Sequence, residues 1–368
     1  MEVMRAANAR EAAGDAVYHM EVGQPDTSAP EGVLAAAEIA LRSDRLGYTD
    51  ALGLPELRQG IAGHYKENYG QDVDPGRVIV TTGSSGAFVQ AFLAAFDVGD
   101  RVALASPGYP CYGTILSALG IEAVLLETDL ENAFQPTTEL LDRARAEGPL
   151  DGLIIASPAN PTGSMLSDAA LAELAVYCKT HGIRLISDEI YHGVTYTQKA
   201  STALTFNDEA VVINSFSKYF SMTGWRLGWM IAPEGLMQAC ECLGQNLFIS
   251  PPTLSQVAAV AAFDCKEELE RNVARYAQNR AVLLEQLPAI GFDRIAPADG
   301  AFYLYADVAA LTNDSQVFCQ RMLAETGVAA TPGVDFDSAR GHRYLRFSFA
   351  GATETMVNAA DALKRWIK

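Results

Sequence analysis

The segment Ser215-Phe-Ser-Lys218-Tyr-Phe-Ser-Met-Thr-Gly-Trp-Arg226-Leu-Gly228 lies between two short apolar runs, 211–214 and 227–231. Its lysine therefore emerges directly from a buried strand. Framed by hydroxyls and followed eight residues on by an arginine, Lys218 suits an amine held beside a phosphate. In that setting its pKa falls and it can form an imine with an aldehyde. Alone, Ser-x-Ser-Lys is more often a surface lysine ahead of a glycine turn, so its surroundings must decide.

Outward from this segment, further apolar runs at 78–81, 102–105, 123–126, 153–156 and 183–187 read as strands, several flanked by Gly, Pro, Ser or Asp. Helical patterns at 85–96, 112–119, 138–147, 168–180 and 233–243 alternate with them. This alternation predicts an α/β fold, a mainly parallel sheet sandwiched by helices. Ligands of such sheets bind beyond the carboxyl ends of the strands. After about Pro252 the pattern changes to a long helix at 266–286, then strands at 302–307 and 344–349 separated by helix, the mark of a smaller α+β domain. The expected division is an N-terminal arm, 1–45, joining the small domain, a large domain at 46–265, and the small domain at 266–368.

Among the 368 residues, 49% are hydrophobic and 20% charged, and 27 basic residues face 45 acidic ones, for a net charge of −18. That balance repels phosphate backbones and anionic lipid, so neither nucleic acid nor a membrane is expected as a partner. Cys111, Cys178, Cys240, Cys242, Cys265 and Cys319 are scattered, and no basic, apolar leader is evident. A cytoplasmic protein with ordinary buried thiols is expected. The five histidines and six cysteines show no metal-ligand spacing, so no metal is expected.

Three more segments follow strands. Ser187-Asp188-Glu189-Ile-Tyr191 places a carboxylate and a phenol at a strand end, although Asp is also a common helix cap. Ala159-Asn160-Pro-Thr-Gly163 is at least a turn. Thr82-Gly-Ser84-Ser85-Gly-Ala87 joins a strand to a helix, where free N–H groups and the helix dipole favour an anion. It fits neither the dinucleotide nor the nucleoside-triphosphate glycine pattern.

Taken in order with Gly23-Gln-Pro-Asp26, Tyr48 ahead of Gly53-Leu-Pro-Glu-Leu-Arg58, Pro107-Gly-Tyr-Pro110 and Arg346-Phe-Ser-Phe-Ala350, these segments resemble pyridoxal-phosphate-dependent aminotransferases of class I/II, fold type I, over nearly the whole chain. The resemblance implies pyridoxal 5'-phosphate as cofactor, carried as an imine on Lys218, which also moves the substrate proton. It implies that Asp188 pairs with the ring nitrogen, that Asn160 and Tyr191 bond the ring's phenolic oxygen, and that Tyr109 stacks on the ring. The phosphate would rest on Ser84, Ser85, Ser215 and Arg226, with Ser217 a lesser candidate. Tyr48 would reach the phosphate of a neighbouring subunit in a homodimer. Arg346 would clamp the substrate carboxylate, assisted by Gly23 and Asn160.

Some positions depart from that family. The segment after Pro332-Gly333 reads Val-Asp-Phe-Asp-Ser where relatives usually carry Phe-Gly, and the Ser84-Ser85 loop lacks the lysine of some relatives with acidic substrates. No second arginine has a matching setting. The expected reaction is transfer of an amino group from a neutral aliphatic or aromatic L-amino acid to a 2-oxo acid such as 2-oxoglutarate or pyruvate. Carbon–sulfur lyases and other enzymes of the same fold share these residues and stand as the alternative.

Overall fold

The computed structural model describes residues 2–43 and 45–367; Met1, Asp44 and Lys368, the outermost positions of the expected arm and small domain among them, lie outside the described residues. Seven strands form the large sheet: β1 Val78–Thr81, β2 Arg101–Ser106, β3 Glu122–Glu127, β4 Gly152–Ala156, β5 Arg184–Asp188, β6 Val211–Ser215 and β7 Gly228–Ile231. Their order is β1-β7-β6-β5-β4-β2-β3. All pairings are parallel except those of β7, which runs antiparallel to both β1 and β6. This is the mainly parallel, helix-covered sheet expected.

Alternation along the strands divides two cores. Val212, Leu153, Ile155 and Trp229 face one layer of helices, whereas Val211, Ile213, Ile154 and Met230 face the other. Being buried on both faces makes these strands read as continuous apolar runs. The antiparallel β7 has a direct consequence for function: the connection from β6 leaves and re-enters the sheet at one edge, so Lys218 and Arg226 both stay at the carboxyl edge of the parallel strands.

A four-stranded antiparallel sheet, Thr331–Pro332, β9 Tyr344–Ser348, β8 Tyr303–Asp307 and Arg294–Ile295 in spatial order, forms the smaller unit. Helices Lys266–Gln286, Ser315–Thr326 and Thr353–Trp366 accompany it. The arm corrects the expected division. Val3, Tyr18 and Met20 join the small core, but Ala29, Val33 and Ala37 belong to the large one. Helix Glu31–Ser43 presents its apolar stripe to helix Thr253–Val260, and so leaves the small unit well before residue 45. Among the described residues, no helix is long and apolar enough to cross a membrane.

Candidate active site

The carboxyl ends of β4, β5 and β6, the start of helix Gly83–Ala95 and cap strand β9 converge on one cleft of about 1280 Å³. Gly23, Ser84, Ser85, Tyr109, Asn160, Asp188, Tyr191, Lys218, Arg226 and Arg346 all line it.

Lys218 Nζ donates to the Gly23 carbonyl at 2.5 Å and lies 5.7 Å from the centre of the Tyr191 ring. Burial, then the charge of Arg346, lower its pKa to about 8, while Asp188 pulls the other way. Asp188 is 4% exposed. Its Oδ1 accepts from Ile190 N at 3.0 Å and its Oδ2 from the Tyr112 hydroxyl. Burial raises its pKa to about 6 despite these bonds.

Tyr112 escaped the sequence reading, though a signal existed. Helix Pro110–Ala118 places it three residues beyond Tyr109, hence on the same side, with ring centres 5.5 Å apart. Tyr191 donates to, or accepts from, the Tyr303 hydroxyl at 2.6 Å, a pairing across the two units that local sequence could not reveal.

The first turn of helix Gly83–Ala95 is open, because Thr82 makes no side-chain capping bond. Arg226 lies against it: a β-carbon on Gly83 would collide with the guanidinium, and one on Gly228 would sit 2.8 Å from Ser84 N. Both glycines thus permit a close approach of β7 to the helix start. Arg226 itself has φ +52° and donates from Nη1 to Thr223 O at 3.1 Å. No carboxylate pairs with it among the described residues.

Arg346 is 6% exposed. Nη1 donates to Asn160 Oδ1 at 2.9 Å, and Nη2 to Glu21 O at 2.6 Å and Thr331 Oγ1 at 3.1 Å. The guanidinium is sandwiched between Tyr303 and Phe336, with ring centres at 4.5 and 4.8 Å. Its Nε is buried without a partner.

Two candidates fall elsewhere. Ser215 does not line the cleft: as the final residue of β6 it is buried, with its hydroxyl 3.0 Å from Leu227 O and 2.8 Å from Ser217 Oγ, so Ser217 occupies the wall instead. Tyr48 is 84% exposed and outside the cleft of its own chain.

A family model described as aminotransferase class I and II matches residues 16–363. The chain is 50% identical over 371 residues to the valine–pyruvate aminotransferase of Mycobacterium tuberculosis, covering 100% of this chain and 95% of the relative. The crystal structure of an aminotransferase from the same organism superposes with a TM-score of 0.98 at 50% identity, with 100% and 95% of the two chains covered. Aspartate aminotransferase from Thermus thermophilus with maleate gives 0.93 at 31% identity, with 99% and 95% covered. Of the two reactions left open by the sequence, these relatives support transamination. An amine, a buried carboxylate and two guanidinium groups around one cleft, on this sheet and in this order, are those of a pyridoxal-phosphate-dependent enzyme, and the chain belongs to the class I and II aminotransferases.

Proposed function

We propose that this aminotransferase takes a neutral aliphatic L-amino acid as donor and a small 2-oxo acid, pyruvate foremost, as acceptor. The observation that carries the reading is the cleft's supply of cations. Lys218, Arg226 and Arg346 line it together with Arg10, whose guanidinium donates to the carbonyls of Ala324 at 2.8 Å and Ala16 at 3.4 Å. With Arg346 committed to the carboxylate common to all donors, Arg226 to the phosphate and Arg10 held by main-chain carbonyls, no further cation of the cleft among the described residues is left for a second carboxylate, and an unpaired charge away from water is costly. The same argument ranks pyruvate above 2-oxoglutarate. The 50% identical relative named for valine and pyruvate supports this choice, while the maleate-bound relative makes clear that the fold alone does not decide it.

The residues present fit pyridoxal phosphate. An uncapped helix start beside an unpaired arginine is a cradle for a dianion. A buried carboxylate suits a cationic ring N–H, and a half-buried lysine of lowered pKa suits an aldehyde. When bound, the cofactor supplies a carbonyl carbon to join the substrate amine and an electron sink for the bonds at the alpha carbon.

In this reading Ser84, Ser85, Ser217 and Arg226 hold the phosphate, and Tyr109 covers one face of the ring. Asp188 holds the ring nitrogen, and Tyr112 holds Asp188. Asn160, its Oδ1 taken by Arg346, has its Nδ2 left as donor toward the phenolic oxygen, with Tyr191 beside it. Lys218 Nζ carries the cofactor and then moves the proton at the alpha carbon, a task suited to an amine that is partly neutral near pH 8. Arg346 orients the substrate carboxylate by its planar fork.

Tyr48 completes the phosphate site of a second subunit, a role supported by its exposure outside its own cleft. The homodimer is tested by mixing inactive Lys218→Ala and Tyr48→Phe subunits, since hybrids regain one undamaged site. Six unpaired cysteines support a reducing, cytoplasmic setting. The donor proposal is tested by half-reaction rates with valine, alanine, leucine, phenylalanine, aspartate and glutamate. Valine or alanine should lead aspartate by about tenfold or more in kcat/KM, and a lead for aspartate overturns it.

A further inference from the structure

A second set of contacts joins the cap to the edge of the large sheet beside the cleft. Asp337, buried at 4% exposure, accepts at Oδ1 from Ala339 N and Arg340 N, both at 3.0 Å. Its Oδ2 accepts from Arg340 Nε at 2.9 Å. One carboxylate thus shapes the cap loop and holds an edge of the guanidinium. Nη2, 2.8 Å from the same Oδ2, also donates to the carbonyl of Ser106, the last residue of β2, at 2.6 Å. Beside it, Gly108 N donates to Phe336 O at 3.1 Å. Two bonds therefore tie the cap segment 336–340 to the loop that carries Tyr109. Phe336, between them and the site, packs on the Arg346 guanidinium.

We propose that Arg340, fixed by Asp337, is a positioning residue that sets substrate specificity: it locks Phe336 at a fixed distance from the Tyr109 loop and so limits the space for the donor side chain to small neutral groups. The physical reason is preorganisation. Tyr109 and Phe336 both line the cleft, one from each unit. Without a bond between their backbones, the gap would follow the docking of cap on sheet, and a bulky donor could widen it cheaply. With the guanidinium held to the cap by Asp337 and to the sheet edge by Ser106 O, widening breaks the charge-assisted bond to Ser106 and the Gly108–Phe336 bond beside it. Bulky donors meet that penalty and small ones do not.

This inference rests on the neutral-donor reading above, and the experiment separates the two. Holoenzyme is prepared as wild type, Arg340→Met, Asp337→Asn and Arg340→Lys, and kcat and KM are measured for valine and phenylalanine. In Arg340→Met and Asp337→Asn the valine KM should rise about tenfold with kcat within about threefold, and the valine to phenylalanine ratio of kcat/KM should fall about tenfold. Arg340→Lys keeps one donor for Ser106 O and should recover part of the ratio. Independently of activity, amide exchange at Gly108 should accelerate in Arg340→Met apoenzyme.

An unchanged donor ratio with Gly108 exchange at the wild-type rate overturns the proposal. So does an equal loss of kcat for both donors at constant ratio, which would make the clasp a fold support only. Should wild type instead prefer aspartate, the donor reading fails. The clasp is then judged by the same loss of discrimination between the best donor and a bulkier one.

Discussion

Replacing Tyr112 by Phe removes one oxygen and leaves the ring that packs between Phe88 and Tyr109. The lost group is the hydroxyl that donates to Asp188 Oδ2. A hydrogen bond to a buried charge contributes about 1.5–3 kcal/mol, and one pKa unit corresponds to about 1.4 kcal/mol. The Asp188 carboxyl, already pushed up to about 6 by burial, should therefore climb by about one to two units. The sign follows from which form is stabilised: Tyr112 favours the carboxylate, so its removal favours the acid. At pH 7 the ionised fraction falls from about nine-tenths to between about one-half and one-tenth, and cofactor affinity, which needs the carboxylate, should weaken about two- to tenfold. The assay is equilibrium titration of apoenzyme with pyridoxal phosphate from pH 5 to 9, followed by protein fluorescence. The cofactor's phosphate titrates near pH 6, at about the same place, so the informative quantity is the difference between variant and wild type. The acid limb should move upward by one to two units in Tyr112→Phe, with affinity recovered by about pH 9. A limb at the same pH in both proteins would refute the claim that Tyr112 governs Asp188.

Lys218→Ala should lose transamination by orders of magnitude while retaining cofactor non-covalently, and borohydride treatment of wild type should label Lys218 and no other lysine in the mass spectrum. Arg346→Lys keeps the charge but loses the fork, so KM should rise about ten- to a hundredfold for every donor alike; an effect confined to one donor would place the carboxylate clamp elsewhere. Glu189, buried behind the site and bonded to Thr202, Ala203 and Ser187, has its pKa pushed up to about 8 by burial. Because its folded value lies above the ordinary 4.5, the stability of the protonated form is complete at acid pH and is lost as pH rises toward 8. Calorimetry of apoenzyme should show this contribution to Tm falling between about pH 5 and 8 in wild type and absent in Glu189→Gln, so that Tm falls less steeply in the variant.

Much of the site was legible because each polar cluster directly follows a short, doubly buried strand, and such strands announce themselves as apolar runs ended by Gly, Pro, Ser or Asp. Strand ends predicted from 153–156, 183–187 and 211–214 lie within one residue of those observed in β4, β5 and β6. Other placements have physical causes. Ser215 is still the last residue of β6 and is buried, its hydroxyl 2.8 Å from that of Ser217, and two residues later the chain leaves the strand and brings Ser217 to the cleft wall. The arm was assigned whole to the cap because it precedes the large domain's first strand, whereas helix Glu31–Ser43 carries its own apolar stripe and follows it to the large core. Tyr303 and Phe336 gain their roles from docking of the cap strands onto the sheet edge, a contact encoded in no local pattern.

A net charge of −18 opposes two anionic ligands, a phosphate and a carboxylate, everywhere except where the cations are placed. Arg346 and Arg226 both line the cleft with Lys218, and both lower its proton affinity. Their repulsion, together with burial, holds the amine near the point where it is half neutral, which is what carrying a carbonyl compound requires. The same repulsion makes each guanidinium the natural seat of an anion, one at an uncapped helix start and one with a buried Nε unpartnered. Asp188 is the counterweight: it raises the lysine's proton affinity and is placed to meet a cation from within the cleft. Binding a phosphate at Arg226 and a carboxylate at Arg346 would relieve both repulsions at once, so substrate and cofactor should each return proton affinity to Lys218. An amine that is a poor base in the empty site and a better one in the filled site is suited to give up its bond to the cofactor and then accept a proton from the alpha carbon.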